Sequence, residues 1–109
     1  MITDETIDKA LDWLVKNARP AAQARANRIY MDEYRKSLKA ILMSASVETT
    51  EAGKERWAYA NAKYVEHLNA LRDAVEQDEW YRWMTTAAEA KIECWRSEQA
   101  NQRAQSKVG

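Results

Sequence analysis

Apolar residues recur at helical spacing from the first residues onward. Ile7, Leu11, Leu14 and Val15 follow the i, i+4, i+7, i+8 pattern of one buried helical face. Ahead of them Thr3 suits the N-cap, and Asp4 and Glu5 suit the positive end of the helix dipole. Ile2 and Ile7 hold the N′ and N4 positions of a hydrophobic staple. Pro20 disfavours helical geometry at Arg19, so the pattern predicts a short first helix over residues 4–18. Because proline is tolerated in a first helical turn, a second helix is predicted from Pro20 to Ala45. On it Tyr30, Met31, Tyr34, Leu38, Ile41, Leu42 and Ala45 share one arc of about 120°. The polar stretch SASVETTEAG then predicts a turn, with Thr49 or Thr50 able to cap the next helix.

From Glu51 to Ala104 there is no proline, and the one glycine, Gly53, falls in the first turn. An unbroken helix of that length would extend roughly 80 Å, too long for a compact monomer of this size. Trp57, Ala60, Tyr64, Leu68, Leu71 and Val75 form a narrow stripe of near-heptad spacing, as in a coiled-coil seam. Trp80, Trp83, Met84, Ala87, Cys94 and Trp95 follow a different phase, which predicts a stutter, kink or short turn at residues 76–79, with Asp78 as a cap. Around that second phase, Trp83, Ala87, Ala90 and Cys94 fall to one side of Trp80. Tyr81, Met84, Ala88, Ile92 and Trp95 fall to the other, giving an apolar arc of about 200°. A rim helix needs about 100°, so this segment is either central to a bundle or meets another chain.

The expected architecture is all-α, with three to four helices: a short N-terminal helix, then a long antiparallel, coiled-coil-like hairpin. A single helical domain is expected over residues 1–104, with a disordered tail over 105–109. Two glycines and one proline in 109 residues agree with long helices. No run of 18 apolar residues is present and the N-terminus is acidic, so neither a membrane span nor a secretory leader is expected. With Cys94 as the only cysteine, a reducing cytoplasmic setting fits best.

Chemistry is sparse. His67 is the only histidine and Cys94 the only thiol, so ordinary zinc sites are excluded; no cofactor, metal or catalytic residue is expected. His67 suits a packing or hydrogen-bonding role at the edge of the stripe, and Cys94 a packing role on the apolar arc. Overall charge is balanced, with 17 basic and 17 acidic residues, but Lys16 to Lys39 holds seven basic residues against Asp32 and Glu33. Arg25, Arg28, Arg35, Lys36 and Lys39 would suit a phosphate backbone, unless acidic residues of Glu48–Glu79 lie alongside and neutralise them. Trp80, Tyr81, Trp83, Met84 and Trp95 are of residue types enriched in interface hot spots and are the candidate partner contacts.

The pattern DExxRWM followed by KIExWR, within residues 57–104, resembles small helical proteins of tailed phages and prophages often encoded among recombination and early-replication genes. The resemblance implies a phage-derived, intracellular accessory protein and carries over no binding or catalytic residue. The leading expectation is a non-enzymatic interaction module, an accessory or inhibitor acting on a host or phage protein. It is expected to self-associate as a homodimer or higher oligomer. The alternative is a nucleic-acid-binding accessory factor using the basic face of the second helix.

Overall fold

The computed structural model describes residues 1–108, and they form three helices: α1 (Asp4–Ala45), α2 (Glu51–Ala60) and α3 (Ala62–Val108). The described residues contain no strand. Thr3 does cap α1: its hydroxyl accepts the Thr6 amide at 3.2 Å. Thr50 caps α2, accepting the Gly53 amide at 3.0 Å. A Cβ at position 53 would lie 2.9 Å from that same hydroxyl and 3.3 Å from the Glu48 side chain, so a larger residue there would have to displace the capping hydroxyl.

The short first helix ending before Pro20 is not what forms. Pro20 lies inside α1. The reason is visible in burial along the helix, where residues 7, 10, 14, 17, 21, 24, 28, 31, 35, 38 and 42 are each buried or half-buried. Steps of three and four alternate without a slip through Pro20, so the packed face is in phase on both sides. Tertiary packing then outweighs a locally unfavourable residue. Pro20 still lacks an amide hydrogen for the Lys16 carbonyl, and proline costs about 3 kcal/mol in a helix interior. Pro20→Ala is therefore expected to raise the thermal midpoint, by an amount corresponding to roughly 1–3 kcal/mol in a circular-dichroism melt.

Nor does the helical run break at residues 76–79. It breaks at Asn61, whose backbone turns extended (φ −67°, ψ 138°). Its amide donates to the Ala58 carbonyl, closing α2, and its side-chain oxygen accepts the Lys63 amide at 2.9 Å, opening α3. From there α3 is continuous and repeats the same 3–4 spacing: residues 64, 67, 71, 74, 78, 81, 85, 88, 92, 95 and 99 are buried or half-buried. Asp78 is thus a seam position and not a cap. The tail expected to be disordered is helical through Val108, with residues 101–108 exposed. Gly109 lies outside the described residues.

Where one domain over residues 1–104 was expected, the chain packs as two compact units: Met1–Ala21 with the segment from Trp80 onward, and Ala22–Glu79. In the first unit, the Ile2 amide donates to the Glu98 carboxylate at 3.1 Å and the Trp95 indole N–H donates to Asp4 at 3.1 Å. Trp13 meets Trp80 edge-on at 6.4 Å. Partner numbers fall as the first segment's numbers rise, so its two strips of helix run in opposite directions.

The second unit holds the larger side chains of the core. Leu38, Leu42, Ala58 and Tyr64 cluster, with Met43 and Trp57 packed against them. His67 Nε2 donates to the Met31 carbonyl at 2.7 Å. A carbonyl only accepts, so Nε2 carries the proton. Tyr34 approaches the same imidazole edge-on at 5.4 Å, giving His67 the structural role its position suggested.

Candidate interaction surface

The seam consumes only part of the apolar surface of α3. Tyr81, Ala88, Ile92 and Trp95 point inward as seam residues, while Trp80, Trp83, Met84, Ala87, Ala90 and Cys94 are exposed. The apolar arc of about 200° inferred from sequence is therefore two faces back to back, one filled from within the unit and one open.

The five aromatic and methionine candidates divide along that line. Tyr81 is half-buried and lies edge-on to Trp80 at 5.0 Å; Trp95 is half-buried and bonded to Asp4. Both hold the first unit together. Trp83 is 68% exposed, Trp80 50% and Met84 38%. Beside them a cleft of about 240 Å³ is floored by Ala10 and Ala88, walled by Trp13, Met84 and Ala87, and rimmed by Lys9 and Lys91. Thr6 completes its lining. Sequence reasoning missed Trp13 and the lysines, because it treated residues 4–18 and α3 separately. Cys94, expected to pack on the apolar arc, is exposed because that side of the arc is the open one.

The basic residues of α1 are mostly paired. Arg28 is itself a seam position and bonds Asp78 at 3.0 Å and Glu79 at 3.2 Å, hydrogen bonds that raise its already high pKa. Arg35 pairs with Asp32 and Lys36 with Glu33 along the helix. Lys39 lies 4.8 Å over the Tyr59 ring and 3.2 Å from Glu55, and the Tyr59 hydroxyl and Glu55 together hold its pKa above the ordinary value. Arg25 is exposed. Asp78, with its side chain only 14% exposed, is a polar group in an otherwise mostly apolar seam, and Arg28 satisfies it there.

Among the described residues no group of three or more His, Cys, Asp or Glu side chains is placed to hold a metal ion. Among the described residues no helix is long and apolar enough to cross a membrane. Comparison of the chain with protein-family models, with curated proteins and with solved structures gives no match.

Proposed function

We propose that the protein is a non-enzymatic protein–protein interaction module that contacts its partner through the outward face of α3, with Trp80, Trp83 and Met84 at its centre. The observation that carries this reading is the exposure of two neighbouring tryptophans. Water-exposed indole is costly, and contiguous apolar patches of this kind mark contact sites. Trp is also the residue type that most often dominates interface energetics. Thin internal packing supports the same reading. Among the buried apolar residues only Ile7, Leu38, Leu42 and Tyr64 are large, the rest being alanines, and no large side chain is fully enclosed. Much apolar surface is left for a second chain to cover.

The partner class follows from the phage-like pattern DExxRWM…KIExWR: a host or phage protein in the cytoplasm, toward which this chain acts as an accessory or inhibitor. Within each unit we read the pairing of α1 with α3 as coiled-coil-like, since unbroken 3–4 spacing is what knobs-into-holes packing uses. Self-association belongs to the same proposal. Recognition of nucleic acid through α1 is the weaker reading, because Arg28, Arg35, Lys36 and Lys39 each have a carboxylate partner. The test is capture of a partner protein by the wild type against a Trp80→Ala/Trp83→Ala double variant, taken up in the Discussion.

A further inference from the structure

The cleft beside Met84 is a groove between two helices of the first unit. Thr6, Lys9, Ala10 and Trp13 form one bank on α1, and Met84, Ala87, Ala88 and Lys91 form the other on α3. Both banks advance in steps of three and four residues, so each is one stripe along its helix and the groove follows the helix axes. From Met84 to Lys91 is two turns, roughly 10 Å at 1.5 Å per residue. A groove of that form suits a third helix, laid along the first two with its apolar side inward.

The groove has an apolar end and a basic end. Trp13 meets Trp80 and Asp4 meets Trp95, which sets Trp13 and Met84 at one end and Thr6 and Lys91 at the other. At the floor Ala10 and Ala88 are each buried, and the space of about 240 Å³ exceeds the ~150 Å³ that holds a benzene ring. It is smaller than the ~300 Å³ at which small-molecule pockets begin. One large apolar side chain fits it, and a whole small ligand does not.

Charge selects among helices. The ionisable residues of the lining are Lys9 and Lys91, one on each bank, and no acidic residue lines it. Lys91 has no ion-pair partner among the described residues. Lys9 bonds Glu5 at 3.2 Å, but both side chains are largely exposed, and such a pair within a helix contributes little and exchanges readily. A second copy laid face to face on the groove would gather Lys9 and Lys91 of both chains around one apolar centre, where like charges oppose association. Carboxylates would be attracted to the same place.

We propose that this groove receives an acidic amphipathic helix of a partner protein. One bulky apolar residue of that helix sits on Ala10 and Ala88 between Trp13 and Met84, and Asp or Glu residues about one turn along face Lys9 and Lys91. The proposal rests on the reading of the neighbouring α3 face as a contact surface and names the chemistry of what binds there.

Fluorescence anisotropy of a labelled peptide, titrated with the full chain up to one hundred micromolar, tests it. The peptide is a helix of about 15–20 residues, long enough to hold its structure in water, with Phe and Leu on one face and Glu around them. It is expected to bind, and the same peptide with Lys in place of Glu to bind at least roughly tenfold more weakly. Lys9→Glu/Lys91→Glu is expected to invert that order, weakening the glutamate peptide by roughly tenfold and favouring the lysine peptide. Circular dichroism confirms that this variant, altered only at exposed sites, stays helical. Failure of the glutamate peptide to bind overturns the proposal, and so does binding that the double charge reversal leaves unchanged. Vesicles containing phosphatidylserine that bind where the peptide does not assign the lysines to lipid and overturn it too. If the peptide fails while a foreign protein is still captured through Trp83, the acidic helix is removed and the contact-surface reading stands. Loss of Trp83-dependent capture removes that reading as well.

Discussion

Alanine at Leu42 is expected to destabilise the protein by about 2–5 kcal/mol, the range seen when a buried leucine loses its side chain and leaves a cavity. Leu42 is 5% exposed and packs with Leu38, Ala58 and Tyr64, the largest set of buried side chains that gather in one place. Few other large groups share the load, so little can collapse inward to fill the space. At roughly 4–8 °C per kcal/mol for a chain of this length, the fall in melting temperature should be about 8 °C or more. Leu11 on the same helix is 48% exposed, and Leu11→Ala should cost less than about 1 kcal/mol. Equal effects at the two leucines would mean that the inward face of α1 is not the one described.

The second large effect concerns binding. Trp80→Ala/Trp83→Ala is expected to abolish partner capture while the chain stays helical. An interface tryptophan contributes on the order of 2 kcal/mol or more, so losing two weakens binding by several hundredfold at least. Trp83 makes the sharper control. It is the more exposed ring, whereas Trp80 also rests edge-on against Trp13 and Tyr81 and contributes to the first unit. Trp83→Ala alone should therefore lower binding at least roughly thirtyfold, with almost no change in the melting temperature measured at low protein concentration. A Trp83→Ala variant that unfolds would place the ring in the core and remove it from the contact surface. Charge reversal at Arg28 should instead disturb the Asp78 and Glu79 contacts, and with them folding.

The all-helical fold, the outer ends of the Asp4–Ala45 run and the start of α2 were legible because caps are local. Thr3, Thr50 and the SASVETTEAG turn each announce themselves within a few residues. Pro20 misled because its cost is local while the force that overrides it, a packed face continuous from Ile7 to Leu42, is spread over the whole helix. The apparent break at residues 76–79 has a different origin. Trp80, Trp83, Ala87 and Cys94 lie on the exposed side of α3, while the inward positions over the same stretch include Asp78 and Thr85, so a search for apolar residues jumps from one face to the other. Asp78 deepened the illusion, because a carboxylate in the seam reads as a cap until Arg28 is seen across from it.

For the contact surface, the residue types were legible and the division among them was not. Trp80, Tyr81, Trp83, Met84 and Trp95 look alike on composition. Two residues separate Trp80 from Trp83, and both face outward; Trp80 and Tyr81 are adjacent, and they part. Only the phase of the inner seam sorts them, and that phase is fixed by polar and small members such as Asp78, Thr85 and Ala88, which a search for hydrophobic residues passes over. Trp13 joins the surface through tertiary contact and carried no local signal.

The central claim is that the outward face of α3 around Trp80, Trp83 and Met84 is a contact surface, and self-association of the chain is part of that proposal. Melting temperature as a function of protein concentration tests it most directly, because an oligomer is stabilised by mass action and a monomer is not. Over a hundredfold range of concentration the wild type should gain several degrees, reflecting up to about 2.7 kcal/mol of added association free energy. A wild-type melting temperature that stays flat across that range would contradict the claim.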